Sequence, residues 1–117
     1  MTHSIYQKKL SIIIPTYNEA ASIQALIDSI LSQKNDFIHQ IIVSDSPAST
    51  DGTLEVAQAI PGILAVKSPQ KGRSAQMNFG ASFATGDILY FVHADTRLHP
   101  DFCSDIQRAI QDGFHLG

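Results

Sequence analysis

The most informative stretch of the chain is GDILYFVHAD, at residues 86–95. Its five consecutive apolar residues, 88–92, predict a strand buried on both faces, as in a parallel sheet. Asp95 follows where this strand ends, and a buried carboxylate is costly unless it is paired or bound to a metal. Because open α/β sheets bind ligands at the carboxyl ends of their strands, this carboxylate predicts a site.

Composition limits the classes of protein to which the chain could belong. Its 117 residues are 44% apolar and 16% charged, which fits one folded domain. A net charge of −3 argues against a nucleic-acid partner. The single cysteine, Cys103, cannot form an internal disulfide, and no apolar run is long enough to be a transmembrane segment. We therefore expect a cytoplasmic protein, or one held peripherally at the inner membrane face.

Strand and helix patterns alternate along the chain. Apolar runs predict strands at residues 10–15, 38–44, 63–66 and 88–92. Helical patterns predict a first helix capped by Asn18, a second capped by Thr50 or Asp51 and running to about residue 60, a third over residues 73–85, and a last one after Pro100. Gly86 is expected to end the third helix, and Asn78, with Gly80, Ala81 and Ala84 behind it, is expected to pack tightly on the sheet. This order predicts an α/β fold with a Rossmann-like, mostly parallel sheet, helices on both faces and strand order 3-2-1-4.

That strand order brings three loops to one rim, at residues 16–19, 45–52 and 93–97. In the first loop, Tyr17 offers a flat face for a base, although a plain turn without the G-x-G-x-x-G fingerprint is the alternative. Asp45 ends its strand and could accept a hydrogen bond from a nucleobase or cap a turn.

Two further groups of residues suggest a site for an anion and a site for a cation. Gly72 permits close backbone approach and Arg73 can pair with phosphate, although a solvated surface is the alternative. His93 and Asp95 stand two residues apart in an extended segment, so their side chains share a direction. Asp95 with diphosphate oxygens would suit Mg²⁺ or Mn²⁺, and the imidazole favours Mn²⁺. For His93, a polar strand-end residue without a metal is the other interpretation.

The order of these motifs resembles a family-2-type glycosyltransferase of the GT-A fold. The resemblance is carried by LSIIIPTYNE (10–19), IVSD (42–45), STDGT (49–53), GR (72–73) and the segment 86–95. GRSAQMN (72–78) and HADTRL (93–98) are similar to a bacterial subgroup, the radical-SAM/selenodomain-associated transferases.

The resemblance implies a role for each motif. The residues assigned to the nucleotide-sugar are Pro15, Thr16, Tyr17, Asn18, Glu19, Asp45, Gly72, Arg73 and Ala94. Asp45 would contact the base, typically uracil, and Arg73 the nucleotide or its diphosphate. Asp95 would be the last Asp of the D-x-D motif and would hold Mn²⁺ or Mg²⁺, whereas His93 stands where the first Asp is usual and is a second candidate metal ligand.

The implied function is metal-dependent, inverting transfer of a sugar from a nucleotide-diphospho-sugar, a UDP-sugar first of all, to an unknown acceptor. Because family members are longer, residues 1–117 are expected to form the nucleotide-sugar-binding half, with the acceptor site and catalytic base beyond Gly117 and little activity in this chain alone. An open sheet edge would permit a homodimer. The alternatives are a non-catalytic nucleotide-binding or interaction module and a nucleotidyltransferase, although the latter usually carries a glycine-rich basic loop where residues 16–19 stand.

Overall fold

The computed structural model describes residues 9–33, 37–94 and 108. In chain order the elements are β1 (Leu10–Thr16), α1 (Ile23–Ser32), β2 (Ile38–Asp45), α2 (Thr53–Gln58), β3 (Leu64–Lys67), α3 (Arg73–Ala81) and β4 (Ile88–Phe91). All strand pairs are parallel and the sheet order is β3-β2-β1-β4, which confirms the predicted topology. The helix predicted after Pro100 lies outside the described residues, except for Arg108, which is helical.

The core lies between one face of the sheet and the helices α1 and α2. Ile12 and Ile14 of the central strand β1 are fully buried there, against Ile23 and Ile27 of α1. Branched side chains suit a pleated strand, and burying each one fully contributes about 1.5–3 kcal/mol. The opposite face is covered by α3, which packs on β1 and β2, so the helices lie on both faces as predicted.

Asn18 does not cap α1, contrary to the prediction. The helix begins at Ile23, and its N-cap residue Ser22 makes no side-chain capping bond. Asn18 has a φ of 52°, and its side-chain oxygen accepts a 2.8 Å hydrogen bond from the Thr50 N–H in the next loop. The asparagine therefore stabilises a contact between loops, since its short amide reaches across as easily as it reaches along the chain.

The prediction that α3 runs to residue 85 and ends at Gly86 is also wrong. The helix ends at Ala81, with Ser82 as its C-cap. Gly86 instead lies against β1, where a Cβ would come within 2.6 Å of Ser11 Oγ and 2.9 Å of the Lys9 carbonyl oxygen. The glycine is thus explained by close backbone approach rather than by helix termination.

The strand β4 is not buried on both faces as its sequence predicts. Leu89 and Phe91 are 41% and 40% exposed. Their register partners Ser11 and Ile13 lie on the α3 side of the sheet, but α3 covers β1 and β2 and leaves β4 open. An edge position within the described part of the chain therefore overrides the apolar pattern. No helix among the described residues is long and apolar enough to cross a bilayer.

We predict that Gly80→Val destabilises the fold by about 1–3 kcal/mol, the usual cost of overpacking. Gly80 is buried, and a Cβ there would lie 2.8 Å from Ile13 Cγ2 and 3.3 Å from Ser44 Cβ. The measurement is the free energy of unfolding in urea. Asn78→Val, at an exposed position of the same helix, is the control, and equal losses in the two variants would contradict the close contact.

Candidate functional site

A cleft of about 700 Å³ opens at the carboxyl ends of β1 and β2. Its lining residues are Pro15, Thr16, Tyr17, Glu19, Ser46, Ala48, Lys71, Gly72, Arg73, Gln76, His93 and Ala94. All three predicted loops contribute to it, and the N-terminal end of α3 forms a fourth side. Of the predicted site residues, Asn18 and Asp45 do not line this cleft, and Asp95 lies outside the described residues.

Direct hydrogen bonds join the loop after β1 to the loop after β2. The Asn18 N–H donates to Ser49 Oγ at 3.0 Å, while the Asn18 side chain accepts from Thr50. The next residue continues the contact, because the Glu19 N–H donates to Thr53 Oγ1 at 2.9 Å. The two loops therefore form one connected wall, although sequence reasoning treated them separately.

Asp51 strengthens the same wall. Its carboxylate accepts hydrogen bonds from the Thr53 hydroxyl, from the Thr53 N–H at 3.1 Å and from the Ala20 N–H at 3.0 Å. These donors, Thr53 first, lower the pKa of Asp51 below its ordinary value of 3.8. The sequence predicted Thr50 or Asp51 as the cap of the second helix, but the N-cap of α2 is Gly52. The bond from Asp51 to Ala20 depends on a contact that the chain pattern does not encode.

The structure places Asp45 behind the wall of the cleft. It is 3% exposed, and one carboxylate oxygen accepts 2.8 Å hydrogen bonds from both Thr16 Oγ1 and Ser49 Oγ. Its backbone carbonyl accepts from the Ser68 N–H at 2.8 Å. Asp45 therefore fastens three loops to one another, since a buried carboxylate is tolerated where donors surround it.

The cleft favours an anion on its α3 side. Lys71 and Arg73 are exposed there, and Arg73 is the first residue of α3, where the helix presents free N–H groups and a partial positive charge. Glu19 is the one carboxylate among the described lining residues, and it accepts a 2.9 Å hydrogen bond from Ser22 Oγ. Positive charge therefore predominates on the side where a phosphate would lie.

The cleft lining also includes an aromatic ring and an imidazole. Tyr17 is 57% exposed, so its ring is free to stack on a planar ligand, and His93 is half-buried beside the buried Ala94. Among the residues that the structure describes, no three histidine, cysteine or acidic side chains converge as a metal site. The described part of the chain thus offers one imidazole to a cation, not a complete set of protein ligands.

Gln76 is a lining residue that sequence reasoning missed. It is 4% exposed, and its amide nitrogen donates to the carbonyl oxygens of Thr16, at 2.7 Å, and Ser44, at 3.0 Å. A helical glutamine near charged residues looks like a surface residue. Its position four residues after Gly72 and four before Gly80 was the available signal, because i, i+4 residues share a helix face.

Sequence comparison identifies a family and similar curated proteins, of which two are described. The model of the family described as Glycosyl transferase family 2 matches residues 11–116. The chain is 32% identical over 96 residues to an uncharacterized glycosyltransferase, YibD, of Escherichia coli K12, covering 79% of this chain and 27% of that protein. It is 32% identical over 109 residues to dolichol-phosphate mannosyltransferase of Pyrococcus furiosus, covering 90% and 31%. The chain thus spans about a third of the length of these curated relatives.

Solved structures share the fold. The glucosyl-3-phosphoglycerate synthase of Mycobacterium tuberculosis, crystallised with Mn²⁺, UDP-glucose and phosphoglyceric acid, superposes with a TM-score of 0.76 at 29% identity, covering 91% of this chain and 40% of that one. The mannosyl-3-phosphoglycerate synthase of Rubrobacter xylanophilus gives a TM-score of 0.75 at 25% identity, covering 88% and 36%. The four-stranded sheet is therefore that of GT-A glycosyltransferases.

We predict that the joined loops lose stability in acid through Asp51. Because the pKa of Asp51 is lower in the folded than in the unfolded chain, its contribution is complete above the ordinary pKa of 3.8 and is lost as pH falls through the folded pKa. Asp51→Ala should therefore melt at a lower temperature than the unchanged chain at pH 7, and the difference should shrink below pH 4.

The measurement is the melting temperature between pH 7 and pH 3. Asp28→Ala is the matched control, since it removes an exposed aspartate on α1 that accepts a 3.0 Å hydrogen bond from the Gln24 side chain of the same helix. A constant difference between Asp51→Ala and the unchanged chain across this range would contradict the assignment.

Proposed function

The chain belongs to glycosyl transferase family 2, and we propose that its cleft binds the nucleoside diphosphate of a nucleotide-sugar donor, a UDP-sugar. The observation that carries this proposal is one cleft lined both by an exposed tyrosine ring and by two cations at a helix N-terminus. A nucleoside diphosphate has the same division between a planar base and an anionic tail. The UDP-glucose named in the similar mycobacterial structure supports the choice of uracil.

Arg73 and Lys71 are the proposed diphosphate ligands. Arg73 can pair bidentately with phosphate oxygens, while Lys71 supplies a compact charge and the first N–H groups of α3 complete the cradle. When an acceptor hydroxyl oxygen bonds to the anomeric carbon, its proton passes to the catalytic base that we propose other residues contribute. The bond from that carbon to the diphosphate oxygen breaks, and the bonding electrons leave with the diphosphate. Cations already in place stabilise this growing negative charge without reorganising.

Tyr17 and the wall beside it are proposed to hold the nucleoside. The ring can stack on uracil, and Pro15, Thr16 and Ala94 supply the surrounding surface. Contact between Asp45 and the base stays a prediction. The hydrogen bond from Thr16 supports a role for Asp45 in holding that wall from behind.

A divalent cation in this cleft would take more of its coordinating oxygens from the diphosphate than from the described protein side chains. Mg²⁺ and Mn²⁺ in nucleotide sites take much of their coordination from phosphates and water, with only one or two protein ligands. We propose His93, which lines the cleft, and Asp95 as those ligands, and the imidazole favours Mn²⁺. When bound, the cation would act as a Lewis acid that neutralises charge on the departing diphosphate.

Residues 1–117 are proposed to be the donor-binding half of a glycosyltransferase domain, with the acceptor and catalytic base contributed by other residues. A shorter span than the curated relatives supports this division. Inversion at the anomeric carbon and a cytoplasmic location stay predictions from the sequence.

We predict that Arg73→Ala weakens UDP binding in the presence of Mn²⁺ by about tenfold, a loss at the low end for a charge-assisted bond because Arg73 is exposed. The measurement is the Kd by isothermal titration calorimetry. Lys67→Ala is the matched control, because it removes an exposed cation at the end of β3 that does not line the cleft. No UDP binding by the unchanged chain, or equal losses in both variants, would refute the assignment.

A homodimer through the open side of β4 is a further prediction. Leu89 and Phe91 expose apolar surface beside a strand edge, where a second copy could pair. Light scattering should give twice the chain mass, and Phe91→Lys should return it to the mass of one chain. A single-chain mass at millimolar concentration would exclude the dimer.

A further inference from the structure

The side-chain amide of Gln76 uses all of its hydrogen-bonding groups inside the protein. Its two N–H bonds are directed to the carbonyl oxygens of Thr16 and Ser44, and its oxygen accepts from the Gly72 N–H at 3.2 Å. The side chain is almost fully buried. The amide therefore has no donor left for a ligand, although it forms part of the cleft surface.

Gly72 has an unusual backbone conformation and forms two hydrogen bonds with Gln76. Its φ of 113° and ψ of 141° are strained for any residue with a Cβ, and glycine itself has the widest choice of backbone conformations. Two hydrogen bonds close a ring between Gly72 and Gln76. The Gly72 N–H donates to the Gln76 side-chain oxygen, and the Gln76 backbone N–H donates to the Gly72 carbonyl oxygen at 2.9 Å. Gly72 immediately precedes Arg73, so the same ring sets the direction in which Arg73 leaves the backbone.

Gln76 also connects α3 to the ends of two strands. The Thr16 carbonyl oxygen accepts both from Gln76 and from the Ser46 N–H, at 2.9 Å, so the helix is bonded to the point where the first two loops begin. One turn later, Gly80 lies against Ile13. Two attachments a turn apart fix both the position of the helix N-terminus and the direction of its axis.

We propose that Gln76 is a positioning residue for the donor diphosphate, acting through Gly72 and Arg73 and not by contact. This inference rests on the proposed function. It extends that function, because it proposes that the uncharged Gln76 side chain holds Gly72 and Arg73 in place before the diphosphate binds. Preorganised groups bind more tightly because less freedom is lost on binding.

The test is a double-mutant cycle on UDP affinity in the presence of Mn²⁺. Gln76→Met keeps the length and volume of the side chain but removes its hydrogen bonds. It should weaken UDP binding about tenfold when Arg73 is present and less than twofold in the Arg73→Ala background, since a positioning residue acts through its target. Gln58→Met, at an exposed position of α2, is the matched control and should leave affinity unchanged.

The outcomes separate this inference from the one on which it rests. No UDP binding by the unchanged chain would overturn the proposed function. UDP binding that is weakened equally by Gln76→Met in both backgrounds, or is not weakened at all, would overturn only the role of Gln76.

A measurement on the unchanged chain covers the case in which Gln76→Met does not fold. The side-chain amide protons of Gln76, followed by ¹⁵N NMR, should exchange slowly with solvent, and UDP should shift the Arg73 side-chain signal while the Gln76 protons stay protected. Exchange of those protons at the rate of an exposed glutamine such as Gln58 would overturn the proposal.

Discussion

The cleft depends on a buried hydrogen bond between the ends of two strands, from the Thr16 hydroxyl to the Asp45 carboxylate. The two residues are register partners in the parallel pair β1–β2, so both side chains lie at the same level where the strands end. Loss of a hydrogen bond to a buried carboxylate costs about 1.5–3 kcal/mol. The bond therefore keeps the two loops together before any ligand arrives.

Close packing of α3 on its face of the sheet positions the cations. Small residues on the α3 side, Ser44 of the sheet and Gly80 of the helix, let the helix backbone approach the sheet closely. This approach has an energetic cost, because the buried Ser44 hydroxyl has no hydrogen-bond partner among the described residues. Leaving a hydroxyl unpaired costs about 1–3 kcal/mol. Close contact in turn brings the Gln76 amide within reach of the strand-end carbonyls, so packing and site geometry are one arrangement.

The sequence predicted the sheet and most of the cleft because these follow from local patterns. Continuous apolar runs and the alternation of strands and helices were enough for the strand order, and strand ends were enough to bring the loops of Thr16, Ser46 and His93 to one rim. Features that depend on contacts between distant residues were not predictable in this way. Asn18 bonds across to another loop, and β4 is exposed because α3 lies elsewhere.

The role of Gln76 was also not predictable from the sequence, because it depends on contacts between distant segments. Its spacing from Gly72 and Gly80 is the one sequence signal for its burial, and its role appears only when three backbone segments meet around it. Asp45 was correctly placed at a strand end, but its carboxylate is hydrogen-bonded to Thr16 and Ser49, and the residue does not line the cleft. Polar residues that link loops are hard to distinguish by sequence from polar residues that bind ligands.

Paramagnetic broadening by Mn²⁺ tests the central claim most directly. With UDP present, Mn²⁺ added to the ¹⁵N-labelled chain should broaden the amide signals of Gly72 and Ala94 in the cleft. The signals of Ser11 and Gly86, at the amino ends of the strands, should stay sharp. Broadening at Ser11 and Gly86, or broadening in the cleft that is the same without UDP, would contradict a metal-bound diphosphate in this cleft.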